Sequence, residues 1–389
     1  MDGTHFQAPD WYRATSLKER IASLPVLGEK DEFITDLARR KIQKWQSQSP
    51  FNEGSFFAQR LSLDNLTEAE LLYILSEPSE SVKARLSKAP TWLSELEQAF
   101  CDYSSSDVLT RIGLDSELIE SDFLYAIAPI IHQALEKLDK DIKNLLAIGH
   151  ELPFGPQKIG HILIVDLPKK LLSMLSRTMV LELNVARLQG VLKNKTSKER
   201  FQSFIERLKQ PDLALTIFQE YPILARQLMI AVNHWLKNSL EFIQHLCTDW
   251  EEISNTFNQG KSPGLLVAVE AGAGDSHRGG QSVMIARFES GLKLVYKPKN
   301  LSVDVHFQQF LAWLNERGNH PPFQLLKILN RSDYGWVEFI EPSSCTSVEQ
   351  IERFYKRQGG YLALFYALEA TDFHHENLIA AGEYPIMID

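Results

Sequence analysis

The sequence predicts an α+β chain: a mostly helical N-terminal region over residues 1–257, an antiparallel β lobe over 258–345, and the start of a further helical lobe over 346–389. Two observations predict this: apolar residues recur at helical spacing up to about residue 255, and a turn-rich linker then opens a series of short β-rich runs. In the first region Phe123, Ile127, Ile130, Leu135, Leu138, Ile142 and Leu145 recur at steps of three to five, the stripe of an amphipathic helix that must bury one face. The stretches 171–192 and 227–246 repeat that pattern, and Pro153, Pro156, Pro168, Pro211 and Pro222 punctuate the boundaries. Residues 197–210 read as a charged amphipathic helix with a solvated face.

The linker NQGKSPG occupies 258–264. LLVAVEA (265–271), QSVMIARF (281–288) and LKLVYK (292–297) follow as an expected antiparallel meander, joined by a glycine-rich loop and by Glu289-Ser290-Gly291. A helix is expected at 303–316, then strands at 323–329 and 335–340. Thr346 and Glu349 form a capping-box pattern that starts a helix, with Val348, Ile351, Phe354, Leu362, Phe365 and Leu368 as its expected buried face. LIAA (378–381) and YPIMI (384–388) close the order as a hairpin.

Composition narrows the function classes. The chain has 389 residues, a net charge of −9 and a pI near 5.7, with 44% hydrophobic and 23% charged residues. That balance fits a soluble globular protein and argues against general nucleic-acid binding, which needs a basic surface for phosphates. The charged N-terminus reads as neither a secretory signal nor an anchor, and no run approaches the roughly 18 apolar residues of a membrane span. Three widely spaced cysteines, Cys101, Cys247 and Cys345, lack metal or redox spacing, so a reducing, cytoplasmic location is expected.

The stretch AGAGDSHRGG (271–280) sets Gly272, Gly274, Gly279 and Gly280 between two strands, where backbone N–H groups can approach phosphate oxygens. It lacks the GK[ST] of a Walker loop and the following helix of a dinucleotide fingerprint, so an ordinary glycine-rich hairpin remains open. Asp275 is out of place beside phosphates, which it repels. Lys297 ends a strand; alone it reads as a solvated lysine like Lys293 and Lys299. Glycine loop, strand and then lysine on the next strand is, however, the order in which kinases cover ATP and grip its phosphates.

Asp372, His374 and Asn377 follow the spacing D-x-H-x-x-N. An aspartate can orient a hydroxyl and accept its proton, a histidine can take a proton or stabilise charge on the phosphoryl group, and an asparagine oxygen can ligate Mg²⁺. A capping aspartate with surface histidines is the bland alternative, and it is the preferred reading for His375 and Glu376. Asp389, after the last strand, stands where a kinase holds its main Mg²⁺. Together these elements favour an ATP-dependent phosphotransferase.

The D-x-H-x-x-N loop and strand-end aspartate resemble the catalytic segments of lipid kinases more than those of protein kinases. More closely, LVYKPKNLSVDVHFQQFLAWLN (294–315), GDSHRGGQSV (274–283), YGWVEFI (334–340), TDFHHENLIA (371–380), MVLELNVARLQGVL (179–192) and ERFQSFIERL (199–208) resemble the N-terminal dehydratase region of class II (LanM-type) lanthipeptide synthetases. The resemblance implies a lipid-kinase-like fold. It also implies a dehydratase that uses Mg-ATP to phosphorylate serine and threonine of a ribosomal precursor peptide with a leader, then eliminates phosphate to leave dehydroalanine or dehydrobutyrine. On this resemblance Lys297 holds ATP phosphates, Asp372 is base or orienting residue, His374 assists, Asn377 and Asp389 bind Mg²⁺, and Asp275 and His277 serve elimination. The family continues into a second acidic ligand, an activation segment and a zinc cyclase; this chain is expected to be truncated before them and inactive alone. A non-catalytic peptide-binding remnant, and a lipid or small-molecule kinase without elimination, are the alternatives.

Overall fold

The structure, a computed structural model, describes residues 3–24, 34–86, 88–103, 119–147, 153–156, 158–193, 195–272 and 278–388. It divides into two compact units, one of residues 1–134 and 168–233, the other of 135–167 and 234–389. The helices that precede the sheet are therefore shared between the units rather than confined to one.

Among the described residues of the first unit six α-helices, α1 (Leu17–Ala22), α2 (Asp36–Gln46), α3 (Phe56–Leu63), α4 (Glu68–Ser76), α5 (Ser79–Arg85) and α6 (Thr91–Cys101), precede α7 (Ala128–Ala147), which runs on into the second unit. Capping boxes start α1 at Ser16 with Glu19 and α4 at Thr67 with Glu70, each pair satisfying N–H groups that the first helical turn leaves open. Trp11 is fully buried, stacked on Phe6 at 5.8 Å and edge-on to Trp92 at 6.4 Å. The single helix expected across Phe123 to Leu145 is two segments: Ile119–Ile127 is a 3-10 helix and α7 starts at Ala128. Pro129 explains the break, since a proline without N–H fits the first helical turn but not a helix interior. Four helices then follow: α8 (Ile159–Ile164), α9 (Leu167–Leu188), α10 (Ser197–Leu208) and α11 (Pro211–Glu220). Of these, α10 keeps a charged outer face while burying Phe204, Ile205 and Leu208.

The second unit is built on a five-stranded sheet. α12 (Pro222–Thr248) and α13 (Trp250–Phe257) lead into β1 (Leu266–Ala271), β2 (Met284–Phe288) and β3 (Lys293–Lys297), the expected meander. β4 (Ile328–Asn330) and β5 (Gly335–Glu338) complete the order β1-β2-β3-β5-β4, with every pairing antiparallel. The strand expected at 323–329 shortens to 328–330 because side chains take its N–H groups. Phe323 donates to Asn315 Oδ1 at 2.7 Å and Leu326 to Gln308 Oε1 at 2.8 Å.

Alternation along the strands sets the core. Leu294 and Tyr296 of β3, Trp336 of β5 and Ala286 of β2 are buried against Phe242, Ile243, Leu246 and Ile253, together with Leu138, Phe154 and Ile159. Removing one such large ring costs about 3–5 kcal/mol. Polar groups inside this core are paired: Asp249 accepts from Trp336 Nε1 at 2.8 Å and from Arg331, and Tyr296 Oη bonds His245 Nδ1 at 2.8 Å. Burial holds the His245 ring below its ordinary pKa and pushes the Tyr296 hydroxyl up.

A second, smaller core lies among α14 (Ser302–Arg317), α15 (Val348–Ala367) and the hairpin of β6 (Leu378–Ala381) and β7 (Tyr384–Met387); Leu311, Phe323 and Tyr361 are its buried members. The cap of α15 differs from expectation. Ser347, not Thr346, accepts the Gln350 N–H, while Gln350 Oε1, not Glu349, takes the N–H and hydroxyl of Thr346. Its buried face also differs: Arg357 and Tyr361 are buried, Phe354 and Phe365 half-buried, whereas Val348, Ile351, Leu362 and Leu368 are exposed.

Candidate functional site

The predicted site residues that the structure describes fall in the second unit. Gly274, Asp275, His277 and Asp389 lie outside the described residues. The two ends of the glycine loop are described. Gly272 follows β1 with φ +76°, and Gly279 and Gly280 have φ +76° and +68°. This backbone is open to glycine and strained for other residues. α12 braces the far end: Asn238 Nδ2 donates to the Gly279 carbonyl at 3.3 Å, and a Cβ on Gly280 would come within 3.2 Å of the His234 ring.

Lys297 is not the solvated lysine of the bland reading. It is 6% exposed, whereas Lys299 is exposed and Lys293 is paired with Glu341. Its Nζ donates to the carbonyl of Ile388, at the end of the second hairpin strand, and stands 3.9 Å from Asp304 Oδ1 in the first turn of α14. Gly335, its partner across β3 and β5, has no room for a side chain, since a Cβ there would meet Leu301 Cδ1 at 2.4 Å. Sequence reading gave α14 but assigned nothing to Asp304; its place one helix after the lysine strand was the available signal.

The second cluster forms one tight loop between α15 and β6. Asp372 has φ +65°, a left-handed backbone that costs an aspartate on the order of 1 kcal/mol. Asn377 holds it there, its Nδ2 donating to the Asp372 carbonyl at 2.9 Å. The Asn377 N–H donates to the His374 carbonyl at 3.0 Å, and its own carbonyl accepts the Ile388 N–H at 3.1 Å. His374 Nδ1 accepts the Glu376 N–H at 3.3 Å, so the neutral ring carries its proton on Nε2. Phe373 stacks on Phe365 at 3.9 Å and pins the loop to α15. The Asp372, His374, His375 and Glu376 side chains are all exposed.

Ile388 thus joins both halves: its carbonyl receives Lys297 and its N–H closes onto Asn377. With Nδ2 of Asn377 engaged, its amide oxygen is the end suited to a hard cation. Among the described residues no three His, Cys, Asp or Glu side chains converge as a metal site.

Through the hairpin foot at Ile388, a buried strand-end lysine of the sheet and the D-x-H-x-x-N loop are brought together. Residues 221–389 match the family described as "Domain of unknown function (DUF4135)". Over 235 residues the chain is 28% identical to the lacticin 481/lactococcin biosynthesis protein LcnDR2 of Lactococcus lactis subsp. lactis, covering 58% of this chain and 25% of that protein. The chain spans about a quarter of the length of that curated relative. Both matches support the resemblance to class II lanthipeptide synthetases of the LanM type.

Proposed function

We propose that this chain is the dehydratase portion of a lanthipeptide synthetase, which phosphorylates serine and threonine of a ribosomal precursor peptide with Mg-ATP and then eliminates phosphate. The observation that carries the reading is the buried Lys297 ammonium on the carbonyl of Ile388, which brings a phosphate-gripping group to the loop of Asp372, His374 and Asn377. The relative's name, a lantibiotic biosynthesis protein, supports the peptide substrate.

In this reading Lys297 and the N–H groups beside Gly272, Gly274, Gly279 and Gly280 hold ATP phosphates. Asp372 orients the substrate hydroxyl and accepts its proton as oxygen attacks the γ-phosphorus and ADP leaves. Nε2–H of His374 donates to the transferring phosphoryl group. Asn377 and Asp389 would hold Mg²⁺, which when bound would supply neutralisation of the charge on the phosphates. Asp275 and His277 act in the second step: the α-proton is removed, the Cα–Cβ double bond forms and phosphate departs with the Cβ–O electrons.

Mass spectrometry of a lanthipeptide precursor incubated with Mg-ATP and a full-length version of the enzyme tests this, with dehydrated peptide expected. Lys297→Ala and Asn377→Ala are expected to abolish phosphorylation, whereas Asp275→Ala and His277→Ala accumulate phosphopeptide. Peptide binding with neither phosphorylation nor ATP turnover would favour a non-catalytic binding role; product retaining phosphate in the wild type would favour a kinase without elimination.

A further inference from the structure

We infer that Arg357, assisted by Arg353, is a positioning residue for the Mg²⁺ ligand Asn377: it clamps the tip of the β6–β7 hairpin through Glu383. This rests on the phosphotransfer reading above and adds a residue pair that none of its motifs contains.

Arg357 is 3% exposed, so its charge is retained where an apolar side chain would fill the space at lower cost. Its guanidinium is aimed at the hairpin. Nε donates to the Pro322 carbonyl at 2.7 Å, while Nη1 donates to both the carbonyl and the carboxylate of Glu383, each at 2.8 Å. The guanidinium also lies 4.1 Å over the Tyr384 ring. Arg353 grips the same carboxylate from one turn earlier, through Nε and through Nη2 at 3.2 Å. Both arginines sit on α15, the helix that delivers the chain to Asp372.

A lone two-stranded hairpin is marginal in water, so this one takes its place from what holds it. Ser343 supports one edge, accepting the Gly382 N–H and donating to the Ala380 carbonyl, both at 2.9 Å. The arginines fix the tip. Each strand is four residues long, so an angular change at the tip carries directly to the foot, where Asn377 precedes β6 and Ile388 follows β7. Lys297 meets the foot at Ile388. Lys297, however, is carried by β3 and also faces Asp304 of α14, so the clamp bears on cation geometry more than on the nucleotide grip of the sheet.

The test is binding of a fluorescent ATP analogue as Mg²⁺ is titrated, with parallel measurement in EDTA, for the wild type, Arg357→Lys, Glu383→Gln and Arg353→Ala. Arg357→Lys keeps the charge and loses the fork. In it and in Glu383→Gln the Mg²⁺ midpoint is expected to rise about tenfold or more, the usual effect of losing a group that orients a ligand. Affinity in EDTA stays at the wild-type value, and Arg353→Ala, a change at a half-buried side chain outside the apolar core, gives a smaller rise in the same direction. Unchanged midpoints overturn the proposal, and so does a parallel loss of EDTA and Mg²⁺ binding, which marks a purely structural role. A wild type whose binding ignores Mg²⁺ instead overturns the phosphotransfer reading itself.

Discussion

Lys297 carries a charge in a place where charge is costly to bury. Its ammonium is held by the Ile388 carbonyl and the Asp304 carboxylate, which offset part of the desolvation. Replacing both members of a buried ion pair with apolar groups is often neutral or stabilising by about 1–4 kcal/mol, whereas removing one member leaves the other charge uncompensated and destabilises. Asp304 retains access to water and can be rehydrated when its partner is lost. Lys297→Met is therefore expected to lower stability in urea only modestly while nucleotide binding disappears. A variant that binds nucleotide normally and unfolds much more easily would make Lys297 a structural residue. Asp372 argues the same way from the backbone: a left-handed aspartate tied by Asn377 is a local cost that the loop retains.

At the scale of elements, the join of α15 to the hairpin has a pH signature. The Arg353 and Arg357 guanidinium groups bonded to Glu383 hold its carboxyl down at about 2, below its ordinary value of 4.5. A carboxyl depressed by folding adds stability above its unfolded pKa and loses it as pH falls through its folded one. Thermal melting should thus be insensitive to Glu383 above about pH 5, and its contribution should fade between 4.5 and about 2. Glu383→Gln should melt lower at neutral pH and converge on the wild type in acid. A constant gap across that window would remove the ion pair from the account. The sequence could not reveal this pair, since Arg357 and Glu383 are 26 positions apart with no periodic relation. Period-two and helical spacing are local, so the meander, α14 and the hairpin were legible. The buried face of α15 was not: which apolar residues are covered depends on what packs beside them, and two polar anchors displaced the expected stripe. The cap moved by one residue for a similar reason, because Ser347 with Gln350 competes on equal chemical terms with Thr346 and Glu349.

At the scale of the molecule, each unit has its own core, and the groups proposed to meet ATP all lie in the second. The matched DUF4135 region starts at residue 221, just before α12, which contributes Asn238 to the glycine loop and Phe242 to the sheet core. The domain bounds drawn from sequence at 258 and 346 follow changes of secondary structure, whereas packing associates residues 135–167 and 234–257 with the sheet. A ligand that binds only the folded state stabilises it by RT ln(1 + [L]/Kd), about 2.7 kcal/mol at one hundred times Kd. Opening reactions that expose the site must pay that difference, and those confined to a unit without contacts to the ligand need not. Mg-ATP should therefore slow amide hydrogen exchange in β1 to β3, the 372–377 loop and the hairpin, while α1 to α6 exchange at the unliganded rate. The Lys297→Met protein should show no protection at all. Protection centred on α1 to α6, or equal protection in that variant, would place the nucleotide elsewhere and with it the chemistry proposed for the D-x-H-x-x-N loop.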